Sequence, residues 1–293
     1  LLCNGAMGIA VSMSTAIPPH NLGEVVEGLV ALIDNPNLAV EDLMNYVPAP
    51  DFPTGGIIYG IGGVKEAYTT GKGHIRVRAK SYVETLKNGR ENIIITEIPY
   101  MVAKSTLLEK MGDLVRDKRV SGIANIRDES DRDGMRIVVE IKRDSNADVM
   151  LNQLLKYTQL ETTFAANMIA LVNGQPRQLN LKQMLQYYID HRHEVVVRRT
   201  RFDLRVAEER EHILEGLRIA LEKIDLVIEI IRGSENPNSA RQSLVNQLEL
   251  SEQQAQAILT MTLQRLTGLE RQKIEDEYEM LVKEIGRLKL ILE

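Results

Sequence analysis

The chain has no tryptophan, three phenylalanines and nine tyrosines, so aromatics make up only 4% of its 293 residues. Its 44% hydrophobic content is enough for a core, but that core must be aliphatic. A single cysteine, Cys3, excludes an internal disulfide and fits a reducing, cytoplasmic setting. No apolar run approaches the roughly 20 residues of a membrane span, so no membrane partner is expected. The net charge of -5 argues against one large nucleic-acid footprint but leaves room for a local basic strip. Leu1 is neither an initiator methionine nor the start of a signal peptide, and Glu293 falls inside a helical pattern. Both ends read as cut, and the length suggests about two domains.

Glycine and proline are also scarce over one stretch. From Asn180 to Ile231 the sole breaker is Gly216, and the stretch predicts one helix of about 50 residues, on the order of 75 Å long. Its second half keeps a 4-3 apolar spacing: Phe202, Val206, Ile213, Leu217, Ala220, Ile224, Val227 and Ile231. A second seam runs through Ile274, Tyr278, Leu281, Ile285, Leu288 and Leu292. Two such seams predict an antiparallel coiled-coil arm with the residues between them at its tip. Glu209 and Arg210 interrupt the first seam and are expected to mark where helix pairing begins.

Upstream, Asn21 is a candidate N-cap, with Glu24 as its capping-box partner, for a helix over 22–33. A shorter helix over 40–47 precedes a proline-rich turn. His74 to Lys80 alternates strictly, with Ile75, Val77 and Ala79 on one face and His74, Arg76, Arg78 and Lys80 on the other. That predicts one half-buried strand with a basic outer face. Asn88-Gly89 predicts a hairpin to a strand over 92–98. A helix over 104–119, strands over 123–127 and 135–142, a helix to Tyr157 capped by Asn146, and a strand over 168–172 complete a β-α-β-β-α-β order, the split βαβ pattern. Short helices over 239–248 and 252–266 follow the long one.

Few residue sets carry chemistry. Glu129 to Glu140 imitates an EF-hand loop, but Glu129 stands where Asp should and Arg136 where an apolar residue should, so an arginine-paired acidic hairpin is expected. His191 and His193 point about 200° apart on a helix and do not converge on a metal. Gly60, Gly62 and Gly63 lack the spacing and lysine of a phosphate loop. No nucleophile–base arrangement is visible. The basic strip is the stronger feature: Lys72, Arg76, Arg78, Lys80, Lys87 and Arg90 stand against Glu84 alone. Such a face can hold phosphates without reading sequence, or can be an ordinary solvated sheet face. At the tip, Ala255, Ile258, Leu259, Leu263, Leu266 and Leu269 lie on short helices with little chain to bury them, which favours a self-complementary dimer contact.

The segments Leu1–Asn21, Pro50–Thr54, Glu97–Tyr100, Arg127–Arg136, His212–Leu221, Gln253–Leu259 and Leu263–Glu270 resemble, in order, the motifs of the A subunits of bacterial type IIA DNA topoisomerases. Ala165–Gln175 and His212–Leu221 are more similar to the gyrase branch than to the topoisomerase IV branch. The resemblance implies an α+β fold: a two-layer α/β tower domain, then a long antiparallel coiled coil carrying a small helical dimerisation gate. The expected divisions are a junction from a winged-helix core over 1–33, the tower over 34–179, the long helix over 180–232, the gate over 233–269 and the return helix over 270–293.

The resemblance also implies an ATP-driven, Mg²⁺-dependent enzyme whose tyrosine forms a 5′-phosphotyrosyl link while a second duplex passes through the break. The family's nucleophile follows an arginine and precedes Thr or Ser. None of Tyr46, Tyr59, Tyr68, Tyr82, Tyr100, Tyr157, Tyr187, Tyr188 or Tyr278 has that context. This segment is therefore expected to contain no catalytic residue and no metal ligand, to lack the N-terminal catalytic-tyrosine region and the C-terminal wrapping domain, and to be inactive alone. Mg²⁺ and ATP are expected through the partner B-type ATPase of an A2B2 assembly. Ile9, between Gly8 and Ala10, matches the family's apolar wedge, which enters a base step and bends DNA; without that match it would read as a core isoleucine. The DNA-binding set is Ile9, Gly8, Ala10, Arg76, Arg78 and Lys80, and the dimer set Ile258, Leu259, Leu263 and Leu266. Ala6-Met7 departs from the family's Ser/Thr pair, Ser12 replaces a usual glycine, and Thr260 and Thr262 replace a charged pair. The partners implied are double-stranded DNA, a second copy and the ATPase, in a nucleoid-associated cytoplasmic complex. Topoisomerase IV, and a non-enzymatic DNA-bending dimeric scaffold, remain the alternatives.

Overall fold

The computed structural model describes residues 1–86, 89–262 and 268–293. The chain divides into two compact units, Leu1–Ile189 and Asp190–Glu293. In the first, the order is β1 (Ala6–Ala10), β2 (Met13–Ile17), α1 (Leu22–Asp34), α2 (Val40–Leu43), β3 (Ile57–Ile58), α3 (Gly62–Thr70), β4 (Lys72–Arg78), β5 (Lys80–Thr85), β6 (Glu91–Glu97), α4 (Lys104–Arg116), β7 (Ile123–Asp128), β8 (Ile137–Ile141), α5 (Ala147–Tyr157), β9 (Glu161–Asn167), β10 (Ile169–Val172) and β11 (Gln175–Gln178). Helix α6 (Leu181–Glu222) leads into the second unit, followed by α7 (Ile224–Gly233), α8 (Pro237–Leu248), α9 (Glu252–Leu259) and α10 (Gly268–Leu292).

Local signals place the helix starts. Asn21 accepts hydrogen bonds from the amides of Gly23 and Glu24, and Asn146 from that of Val149. Asn180 and Gln183 exchange side-chain-to-amide bonds at 2.8 and 3.0 Å, a reciprocal cap on α6. Ser251 and Gln254 do the same for α9.

The first unit holds two aliphatic cores. A five-stranded sheet, in the order β1-β2-β9-β4-β3, packs with α1, α3 and the first turns of α6 around Leu32, Val64, Tyr68, Ile75, Met168 and Leu185. A four-stranded sheet, β5-β6-β8-β7, is covered by α4 and α5 around Ile93, Ile95, Leu107, Met111, Ile137 and Leu154. This second sheet and its helices form two layers. Its strands pair only antiparallel, with β8 lying between β6 and β7, so β6-α4-β7 is a split βαβ unit, and the edge beside β6 is taken by β5 instead of the closing strand expected. The strand that was to close that pattern is β10, which forms a separate ladder with β11, while β9, which was not expected, joins β4.

Two further expectations are corrected. The basic segment is not one strand: β4 ends at Arg78 and β5 begins at Lys80, in different sheets. Gly62 and Gly63 open helix α3. A Cβ at Gly63 would lie 2.0 Å from the His74 carbonyl oxygen, so only glycine lets α3 lie on β4 this closely. The long helix breaks at Lys223, whose φ of -113° and ψ of 40° leave the α region.

In the second unit the break lets α7 bury Val227 and Ile230 with Leu244 and Leu248 of α8 and Ala255 and Ile258 of α9. Gly216 is explained here, because a Cβ on it would lie 2.6 Å from Gln254 Cβ. Helix α9 is pinned at that point: Gln254 Nε2 donates to the His212 carbonyl at 2.8 Å, and His212 Nε2 lies 2.7 Å from Ser251 Oγ. Between α6 and α10, Arg218 meets Glu275 and Arg210 meets Glu277, while Glu208 meets Lys289. The numbering rises on one helix as it falls on the other, so the two run antiparallel. The Glu208–Lys289 pair lies upstream of Arg210, so pairing does not begin at Glu209–Arg210 as expected.

Candidate nucleic-acid interface

The β1–β2 hairpin is the most exposed apolar feature of the first unit. Its register runs from Ala6↔Ile17 to Ala10↔Met13. Ile17, 3% exposed, roots it in the core. The Val11–Ser12 turn holds Ser12 at a φ of +70°, the left-handed region that two-residue hairpins fill with glycine. That is why a glycine is usual there, and Ser12 occupies it at some strain. At the free end, Ile9 is 91% and Val11 95% exposed. Ile9 is therefore not a core residue, and the geometry removes that reading. Alternation places Met7 and Ile9 on one face and Gly8 and Ala10 on the other. Gly8 and Ala10 are both exposed. A Cβ at Gly8 would meet Thr15 Cγ2 at an ordinary 3.7 Å, so packing alone does not demand glycine.

Strands β10 and β11 form a second hairpin beside the first. Ala10, Met13, Ile169, Leu171 and Pro176 line an open, mainly apolar groove of about 280 Å³ between them. Leu171 is 73% exposed. Neither this hairpin nor β9 was expected from the sequence, although the Thr162-Thr163-Phe164 run carries strong β-propensity.

The basic residues are present but paired. Arg78 Nε binds Glu161 Oε2, and Arg76 Nη1 lies 3.9 Å from Glu161 Oε1. Both guanidinium groups lie over the Tyr59 ring, 3.4 Å from its centroid for Arg78 and 5.0 Å for Arg76. Lys80 Nζ lies 3.1 Å from Glu97 Oε1, in the other sheet. The Glu97 carboxyl is held below its ordinary pKa, first by the Gly56 amide at 2.6 Å and further by Lys80, against the opposing effect of burial. Glu161, Glu97 and Tyr59 all escape a count of nearby charges, because β9 and β6 bring the acids in by long-range pairing.

The other candidate groups behave as surface or core. In the acidic loop Arg136 pairs with Glu129 and Glu84, and Arg127 with Glu129 and Glu140. The Asp128 carboxyl is pulled down to about 2, chiefly by its bond to Lys104 at 2.7 Å, then by Ser130. Among the described residues no group of three or more His, Cys, Asp or Glu could hold a metal ion. His191 and His193 lie on an exposed stretch of α6. Burial raises the Tyr68 phenol far above its ordinary pKa, and its hydroxyl has no partner among the described residues, so it is no nucleophile. Among the described residues no helix is long and apolar enough to cross a membrane.

Of the four residues assigned to a dimer contact, Ile258 is 3% exposed and lies in the core of its own unit, not on an open face. Leu259 is half-buried at the edge of that core. Leu263 and Leu266, like Lys87 and Asn88 of the basic segment, lie outside the described residues.

Comparison with known proteins defines the class. The chain belongs to the family of A subunits of DNA gyrase and topoisomerase IV, whose profile matches residues 1–293. It is 59% identical over 292 residues to the DNA gyrase A subunit of Clostridium acetobutylicum, 56% over 292 to that of Halalkalibacterium halodurans and 51% over 293 to that of Staphylococcus aureus. These matches cover the whole of this chain and 35%, 35% and 33% of those proteins, so the chain spans about a third of their length.

Proposed function

We propose that this chain is the DNA-bending and dimer-forming part of a gyrase A subunit, which breaks and rejoins duplex DNA together with an ATPase partner. The observation that carries the reading is Ile9, an isoleucine 91% exposed at the free end of a hairpin rooted in a rigid core. Displaying a branched apolar side chain in water gains nothing for folding. It fits a wedge entering a base step, where unstacking costs a few kcal/mol and the bend brings more duplex against the protein. The relatives' names favour gyrase over topoisomerase IV, and a non-enzymatic scaffold has no support from them.

In this reading Gly8 and Ala10 keep the hairpin edge thin beside Ile9. Arg76, Arg78 and Lys80 attract the phosphates of the flanking duplex, in exchange with Glu161 and Glu97. The described residues of this chain offer no set that fits Mg²⁺, so no step of the reaction is assigned to a metal here. Mg²⁺ and ATP belong with the ATPase partner, and the DNA-cleaving tyrosine is none of the nine in this chain. The residues of α6 to α10 form a paired-helix arm with a dimer gate at its end, using Leu259, Leu263 and Leu266, in an A2B2 complex of the cytoplasm.

The test is a plasmid assay with the full-length protein and its ATPase partner. Relaxed circular DNA, ATP and Mg²⁺ should yield negatively supercoiled product. Relaxation or decatenation without supercoiling would assign the protein to the topoisomerase IV branch, and no strand passage would sink the enzymatic reading.

A further inference from the structure

The β1–β2 hairpin is attached to the rest of its sheet at one place. Strand β2 pairs with β9 through a single register pair, Ala16↔Asn167, whereas β9 and β4 are matched all the way from Lys72↔Asn167 to Arg78↔Glu161. An edge held by one pair resists sliding but offers little against pivoting. Two side chains supply the missing restraint. Thr15 Oγ1 lies 2.8 Å from the Ile169 carbonyl and 3.4 Å from that of Asn167, and donates to them, tying β2 to the start of β10. Asn167 Nδ2 donates to the Ser14 carbonyl at 2.6 Å, tying the end of β9 to β2.

The orientation of the Asn167 amide follows from its neighbour. Turned over, its oxygen would face the Ser14 carbonyl, with two acceptors and no proton between them. As placed, Asn167 Oδ1 is buried without a partner among the described residues, a cost that the Ser14 contact offsets. The register shows where these restraints act. Ser14 is the cross-strand partner of Ile9, and Thr15 that of Gly8. The two bonds therefore grip the hairpin opposite Ile9 and its neighbour Gly8.

We propose that Thr15 and Asn167 are positioning residues for Ile9, fixing the angle of the hairpin so that the duplex, not the hairpin, gives way on binding. The proposal rests on the wedge reading of Ile9. A stiff duplex resists bending, and a hairpin free to turn about Ala16 would yield to that load. Neither residue touches DNA in this scheme. Phosphate contacts, and hence the salt dependence of binding, do not depend on them.

The experiment measures the bend of an end-labelled duplex by energy transfer, on the full-length protein with its ATPase partner. Salt dependence of binding is recorded for the same proteins. Thr15→Val removes the hydroxyl at nearly constant shape, Thr15→Ser keeps it, Asn167→Ala removes the second restraint, and Ile9→Ala is the control. The expected result is a smaller bend in Thr15→Val and Asn167→Ala with an unchanged salt slope, and recovery of the bend in Thr15→Ser. A full bend in Thr15→Val and Asn167→Ala, alongside a lost bend in Ile9→Ala, overturns the proposal and leaves the wedge standing. A full bend in Ile9→Ala removes both. If Asn167→Ala does not fold, the Val–Ser comparison at Thr15 decides by itself.

Discussion

Arg210 and Glu277 face each other as a two-bond pair, Nε to Oε1 at 2.8 Å and Nη2 to Oε2 at 3.0 Å. Arg210 is the residue that breaks the apolar seam of α6, and the pair shows that the seam exchanges an apolar contact for a directional one. The Glu277 bond raises the guanidinium pKa above its ordinary value, against a smaller effect of burial. Both side chains stay more than a third exposed, so the pair is worth at most about 1 kcal/mol. A double-mutant cycle with Arg210→Ala and Glu277→Ala should return a coupling of about 0.5 kcal/mol in urea unfolding, falling as salt rises. A coupling unaffected by salt would mean the pair acts through packing.

In the proposed reading, Glu161 competes with DNA for two arginines. Its carboxylate binds Arg78 and faces Arg76. Glu161→Gln should therefore tighten DNA binding and steepen its salt dependence by up to about one to two phosphate contacts. Arg76→Ala with Arg78→Ala should do the reverse. If Glu161→Gln weakens binding, Glu161 is needed to hold the arginines in place.

His20 sets a pH dependence. It is 4% exposed and stands 5.6 Å from the Tyr68 ring, and its Nδ1–H donates to the Leu2 carbonyl at 3.1 Å. Burial pushes its pKa down from 6.5 to about 4, only partly opposed by the Leu2 and Pro18 carbonyls and by Asp51. The folded state thus holds His20 neutral while the unfolded chain takes up a proton near pH 6.5. Its contribution is intact above that pH and is lost as pH falls from about 6.5 to about 4, by on the order of 3 kcal/mol. Unfolding midpoints measured across that window should fall, and the slope should flatten in His20→Gln. An equal slope in the variant would place the titration elsewhere.

The caps on Asn21 and Asn146 were readable, because each needs only residues two or three positions away. The interface was readable only in part. Ile75 and Val77 enter one core and Ala79 the other, with Ala79 still bonded to the Leu160 carbonyl at 2.7 Å. Alternation runs unbroken through a change of sheet, so the pattern gave no sign of it. Glu161, Glu97 and Asn167 reach the site through strand pairings, Arg78 with Glu161 and Lys80 with Glu97, and periodicity does not report partners. The break at Lys223 was hidden because Ile224 and Val227 keep the seam's spacing while α7 turns toward α8.

The tip predicts association. Ile258→Asp should unfold its own unit, since that residue is buried. Leu259→Asp, at the edge of the core, should mainly weaken dimers. Light scattering at micromolar concentration should give a dimer mass for the unaltered chain and a lower mass for Leu259→Asp. A monomer mass for the unaltered chain would remove the gate reading.

The central claim is that Ile9 enters the base stack. A duplex carrying 2-aminopurine at the bent step should brighten when the full-length protein binds, as the base unstacks. Ile9→Ala should abolish that rise while binding with the same salt slope. An equal rise with Ile9→Ala would contradict the account.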